Sequence, residues 1–404
     1  MTVFLEKLCR IVYNYIVKLL SALSKAKSIP NNNEVIILSN VLKHYGYLHT
    51  IPELGLQEVK TSAYLAEQLE KAGFQVTRNV GGATGVIGVY DSGVEGPTLA
   101  LRADMDALGH VIDGVHCARH TCGHDAHSSM VLSAAEDIIK EKIVNKGRLK
   151  ILFQPAEEIA AGALTIIKGG AIDDVDMIIG SHIRPEEECK KGFAIPAMWY
   201  SASGTVDVII HGKPAHGARP HLGINVIDAA AAAINAVNAI HLNPNFSYSA
   251  KATRFICDSG VTNAIPSEAH VNWDIRAAQN DIMAQLHEKI TKAIEGGVST
   301  VGATADIKFI KELPAAELDD DMTNLLAESI TDVMGKDALM PPFKTAGGED
   351  FFFYTRHKPS IKAGFFGLGV NAVPGLHHPD MHFDTDALET GVTIFKTAVK
   401  KILG

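Results

Sequence analysis

A chain of 404 residues is long enough for two or three domains, and 47% hydrophobic with 21% charged residues, without a long charge block or low-complexity tract, is ordinary for a globular protein. The net charge of −9 argues against nucleic acid as a partner. Five cysteines, Cys9, Cys117, Cys122, Cys189 and Cys257, form no dense spacing pattern, and the odd count points to a reducing compartment, most simply the cytoplasm.

In chain order, Leu5, Leu8, Val12, Ile16, Leu19 and Leu23 recur at helical spacing opposite Lys7, Arg10, Asn14, Lys18 and Lys25, which predicts an amphipathic helix. Asn14 and Lys18 interrupt any continuous apolar stretch and argue against a membrane span. The basic face permits a membrane-surface anchor, but packing on the protein's own body is the plainer expectation. Residues 29–33, Ile-Pro-Asn-Asn-Asn, read as the linker that closes this 1–33 segment. From Glu34, helix and strand patterns alternate as in a mainly parallel sheet with helices on both faces. A helix over 62–72 stops at Gly73, and strands follow over 74–80, 86–90 and 97–103. A helix over 125–143 precedes two apolar runs, Leu149 to Phe153 and Met177 to Ile179, that read as buried strands. After Pro196 the order changes: strand 205–210, alanine-rich helix 224–242, strands 253–257 and 270–276, helix 283–295 and strand 305–310. That β-α-β-β-α-β order is the ferredoxin-like split motif.

Chemistry concentrates in four segments. Cys122-Gly123-His124-Asp125-Ala126-His127 packs a thiol, two imidazoles and a carboxylate into six residues, a composition suited to a transition ion such as zinc. Gln154-Pro155-Ala156-Glu157-Glu158 ends one predicted strand with paired carboxylates, Gly180-Ser181-His182 ends another with a histidine, and Leu376-His377-His378-Pro379-Asp380 adds a histidine pair near the C-terminus. Strand ends of an open α/β sheet are where ligands bind. Each segment also has a plainer reading, as a buried cysteine, a hydrogen-bonded core histidine or a solvated Glu pair. Asp106 is a candidate to orient a ligand imidazole, or else a capping residue of the next turn.

From about Leu38 to the C-terminus the chain resembles the two-metal aminoacylase/carboxypeptidase hydrolases. Within them it is similar to the amidohydrolase branch that includes plant auxin-conjugate hydrolases and bacterial N-acyl-amino-acid amidohydrolases. The motifs RADMDAL from Arg102, CGHDAH, QPAEE, GSHIRP, GKPAH ending at His216, GGEDF from Gly347 and LHHP occur in that family's order. The resemblance implies metal ligands Cys122, His124, Glu158, His182 and His377 for two divalent ions, zinc or manganese, and Glu157 as general base. It sets a lid at 197–311, inserted between the catalytic segments 34–196 and 312–404. In that lid, His216 would stabilise the oxyanion through domain closure or from a partner subunit, Asn263 and Arg276 would bind the substrate, and a homodimer would form. The implied reaction is hydrolysis of an N-acyl amino acid or amino-acid conjugate, with a dipeptidase or carboxypeptidase-like activity as the alternative and a non-catalytic binding protein as a third reading. Two departures stand out. Gly109 replaces the branch's usual Pro before a shortened loop containing His110, His116 and His120, as in a small bacterial subgroup, and Asn225 stands where the lid helix commonly starts with Asp.

Overall fold

A computed structural model describes residues 39–404; the predicted amphipathic helix and its linker lie outside the described residues. The strands of the two larger sheets, in chain order, are β1 Gln75–Val80, β2 Gly85–Asp91, β3 Thr98–Asp104, β4 Arg148–Gln154, β5 Met177–Pro185, β6 Ala194–Ile195, β7 Ala202–His211, β8 Tyr248–Ile256, β9 Glu268–Ala277, β10 Thr304–Leu313 and β11 Lys362–Ala372. The longer helices are α1 Asn40–Leu48, α2 Val59–Ala72, α3 His124–Lys140, α4 Val226–Asn238, α5 Asn280–Ser299, α6 Asp320–Met334 and α7 Leu388–Leu403. None of the described helices is long and apolar enough to cross a membrane.

The first sheet runs β1-β2-β4-β3-β5-β11-β6. Its central four strands, β4, β3, β5 and β11, are parallel, and antiparallel strands close both edges. Because side chains alternate across a strand, Leu99, Leu101 and Ala103 of β3 pack with Leu65, Met130 and Phe395 of the helices on one face. Ala100, Leu152, Ile178 and Phe365 turn to the other face, against Ile166, Phe351 and Phe352. Parallel alignment brings the C-terminal ends of β3, β4 and β5 to one edge, with Asp104 beside Gln154 and His182 beside Gly367 of β11.

The second sheet, β8-β9-β7-β10, is antiparallel throughout, and with α4 and α5 it forms the expected ferredoxin-like α+β layer. Its two helices touch where Gly297 meets Ala233; a Cβ on that glycine would lie 2.6 Å from the Ala233 Cα. Asn225 caps α4, its side chain accepting the Ile227 N–H at 3.1 Å, so the departure from Asp preserves the cap.

The segment expected as a loop before Cys122 is instead a hairpin, Leu108–Ile112 paired with Val115–Arg119. Its turn is Asp113-Gly114, with φ of +52° and +77°, the two-residue geometry that Asp-Gly favours.

Candidate active site

The strand ends deliver the motif residues to one place. Gly123 takes a φ of +86° before α3, and a Cβ there would meet the Ile183 side chain at 2.3 Å. Only glycine fits, and its turn sets Cys122 and His124 side by side at the helix start. Ala156, with φ of +55°, turns the chain out of β4 before Glu157 and Glu158, and His377 is held at φ +66° with its N–H bonded to the Thr121 carbonyl at 2.7 Å. Such left-handed backbone in non-glycine residues gathers at functional sites.

Asp106 ties two of these residues together. One carboxylate oxygen accepts His124 Nδ1–H at 2.9 Å and the other accepts the Glu158 backbone N–H at 3.0 Å. His182 Nδ1–H donates to the Ile183 carbonyl at 2.6 Å, which fixes its tautomer and leaves Nε2 an acceptor facing Cys122 Sγ at 3.4 Å. His124 Nε2 and Glu158 Oε1 are buried without a hydrogen-bond partner and face each other at 3.7 Å. Glu158 Oε1 also lies 3.6 Å from His377 Nε2. Donor atoms of Cys122, His124 and His182, and of Cys122, Glu158 and His377, lie within 4.8 Å of one another, so the thiol belongs to both groups.

His127 closes the CGHDAH segment but is already used on both sides. Its Nδ1–H donates to Asp104 at 2.7 Å and its Nε2 accepts the Ile183 N–H at 2.9 Å. Asp106 thus orients His124 while Asp104 orients His127.

The acids here outnumber the nearby cations. Burial pushes the Glu157 carboxyl well above the usual carboxylate range, reinforced by Glu349, Glu158 and Asp350. Burial lifts Glu158 to about 7 and drives the Cys122 thiol well up. It holds His182 well below the ordinary imidazole value, helped by His127, and lowers His377 as well. For His124 burial pulls downward, but the Asp104 and Cys122 charges outweigh it. Bare imidazole nitrogens, a thiol and carboxylates turned on one point, two of them orphaned, fit a divalent transition ion, which would displace protons from these groups.

Behind the site lies a network that the motifs contained without revealing it. Arg102 is fully buried, donating from Nη1 to Asp104 at 2.6 Å, from Nη2 to Asp350 at 2.8 Å and from Nε to Gln154 at 2.9 Å, with Glu349 at 3.0 Å. Tyr354 donates to the same Gln154 oxygen at 2.8 Å. The signal available in the sequence was charge inside an apolar strand: β3 reads TLALRAD and is buried throughout.

A cleft of about 670 Å³ joins this edge to the second sheet, with Cys122, Glu157 and His377 on one wall and Ser203, Asp274 and Arg276 on the other. Arg276 therefore reaches the cleft, gripped by Asp274 through Nε at 3.1 Å and Nη2 at 3.0 Å. His216 and Asn263 do not line it. His216 is exposed on a short ladder, Ala215–His216 against Ala264–Ile265, and Asn263 directly precedes its second strand, its carbonyl accepting the Gly217 N–H at 2.7 Å. His110 Nε2 bonds the Thr121 hydroxyl at 2.9 Å, and His120 is buried.

The family model described as Peptidase family M20/M25/M40 matches residues 100–401. The N-acetylcysteine deacetylase of Bacillus subtilis is 29% identical over 361 residues, covering 86% of this chain and 93% of that protein. Thermostable carboxypeptidase 1 of Saccharolobus solfataricus is 30% identical over 371 residues, covering 85% of this chain and 90% of that protein. The crystal structure of the Bacillus subtilis YXEP protein, a dinuclear metal binding peptidase, superposes with a TM-score of 0.73 at 25% identity, over 90% of this chain and 97% of that one.

Proposed function

The chain belongs to peptidase family M20/M25/M40, and from that premise we propose that it is a dinuclear metal amidohydrolase cleaving N-acyl amino acids or amino-acid conjugates. The observation that carries the reading is the pair of orphaned buried atoms, His124 Nε2 and Glu158 Oε1, within two donor groups that share Cys122. Cys122, His124, Glu158, His182 and His377 would hold the ions, zinc or manganese, Cys122 being common to both donor groups. Bound ions of this kind polarise the scissile carbonyl and acidify an attacking water.

Glu157 sits beside Glu158 on the cleft wall. As general base it takes the proton of the attacking water and passes it to the leaving nitrogen. His216 and Asn263, remote from the cleft of their own chain, complete it from a partner subunit or by closure of the lid at 197–311, His216 donating to the developing oxyanion. Arg276 takes the substrate carboxylate with the N–H groups that its protein partners leave free. A cytoplasmic homodimer acting on a small molecule belongs to the same reading.

The similarity to a carboxypeptidase supports a second reading, cleavage of unblocked peptides. Charge pairing in the cleft favours acylated substrates. Outside Glu157 and Glu158, the acids of the wall are already engaged: Glu188 with Arg184, Asp274 with Arg276 and Glu349 with Arg102. A free ammonium would meet no unpaired carboxylate other than the proposed base and metal ligand.

The test is elemental analysis of protein purified without chelator, beside amine release from N-acetyl, N-benzoyl and longer acyl amino acids and from unblocked dipeptides. Close to two metals per chain with turnover of the acylated compounds is expected. Turnover of dipeptides alone selects the peptidase reading, and no metal after reconstitution removes both. Cys122→Ser is expected to weaken metal retention by about tenfold or more, since an alcohol replaces a thiolate placed between both groups; unchanged stoichiometry under chelator challenge excludes the thiolate as a ligand.

A further inference from the structure

The cleft wall built by the second sheet holds a cation that the proposed chemistry does not use. Pairing of β7 with β10 slips between Ser203, which faces Leu313, and Thr205, which faces Ile310, so Lys311 and Glu312 both stand opposite Gly204. This is a β-bulge, and bulges re-aim side chains. Ala305, Ile307 and Phe309 pack toward the helices. Unbroken alternation would carry Lys311 onto that same apolar face. Instead Lys311 absorbs the extra residue with a φ of +52° and lines the cleft, while Glu312 meets His287 of α5 at 3.2 Å.

Three lysine and arginine side chains line this cleft. Arg184 pairs with Glu188, and Arg276 is held by Asp274 and donates Nη1–H to the Ala346 carbonyl at 3.1 Å. Lys311 has no ion-pair partner among the described residues. A long side chain held in left-handed backbone, at a bulge that turns it from an apolar face into a cleft, is the kind of backbone outlier from which a function is inferred.

We propose that Lys311 is a specificity-determining anchor for a substrate carboxylate, either the α-carboxylate of the amino-acid part or a second carboxylate on its side chain. The inference rests on the reading of this cleft as an amide-hydrolase site. Lysine suits the task as a mobile point charge beside an arginine whose fork is largely occupied.

The test measures binding of N-acetyl-L-alanine, N-acetyl-L-glutamate and N-acetyl-L-alaninamide to the metal-loaded protein by titration calorimetry, with amine release followed on the same compounds. The wild-type chain is expected to prefer the carboxylates over the amide, and Lys311→Met to reduce that preference by about tenfold or more, the value of a charge-assisted contact. Lys311→Arg should restore most of it. Loss for both carboxylates relative to the amide identifies the α-carboxylate; loss confined to the glutamate compound identifies a second one. Equal weakening of all three ligands, an unchanged preference, or no preference in the wild type overturns the assignment. Absence of amine release from these compounds and from the N-benzoyl and longer acyl amino acids removes the amidohydrolase reading, while the binding ratio still decides the role of Lys311.

Discussion

Glu157→Gln is expected to retain the metal content of the wild-type protein and to lose turnover by about 10²–10⁴-fold, the range associated with removal of a general base. The two side chains are nearly isosteric, so the turn at Ala156 and the packing around it are kept. What changes is the capacity to accept a proton. Burial raises the Glu157 carboxyl, with Glu349, Glu158 and Asp350 reinforcing it, and bound cations would oppose that shift and favour the carboxylate that accepts the water proton. A base that holds its proton well above the usual carboxylate range is matched to pass it on to a leaving amine. An amide at the same position accepts hydrogen bonds but cannot carry that proton. The check is steady-state kinetics on an N-acyl amino acid together with elemental analysis of the same preparation. Retained turnover would reassign the base, and loss of metal would show that Glu157 is a ligand.

The architecture was legible because periodicity carries it. Apolar runs such as Leu149 to Phe153 announce strands buried on both faces, and the β-α-β-β-α-β order after Pro196 announces the second sheet. The clustering of Cys122, His124, Glu158, His182 and His377 was legible only through the order of the motifs, since parallel alignment of β3, β4 and β5 is a tertiary fact. The hairpin over 108–119 was missed because its signal is a single Asp113-Gly114 pair flanked by short, exposed strands. Partnerships between motifs were the least visible. Nothing local in RADMDAL distinguishes Asp104, which orients His127, from Asp106, which orients His124 and holds the Glu158 N–H. The bulge at Lys311 was hidden for a related reason: it is a property of pairing between β7 and β10, and the strand pattern read over 305–310 ends before it.

Arg102→Met is expected to cost about 3–5 kcal/mol of stability, as removing one partner of a buried charged group commonly does. Methionine fills much of the space in an apolar strand, so loss of volume is the smaller effect. The larger one is that Asp104, Glu349 and Asp350 surround Arg102 within 3.0 Å, and all three are buried. Burial already raises Glu349, and it lifts Asp350 to about 7 in spite of the guanidinium. A carboxyl whose folded pKa lies above its unfolded value favours the folded state at low pH and opposes it progressively as pH rises through the folded pKa. Without Arg102 that opposition deepens, because the ionised forms lose their counter-charge. Asp104 has the reverse sign: His124, Arg102 and His127 overcome its burial and hold it well below the usual range, so its contribution is present at neutral pH and is lost only on acidification through that depressed value. Removing Arg102 weakens this contribution in the same pH region. The Asp104 loss is the same at pH 5 and pH 8, so the Glu349 and Asp350 effect alone makes the deficit of the variant larger at pH 8 than at pH 5. Urea unfolding of metal-free wild-type and variant protein at the two pH values separates this from metal binding. A deficit below about 1 kcal/mol, or one that shrinks as pH rises, would show that the guanidinium does not supply the charge that holds the RADMD and GGEDF motifs together.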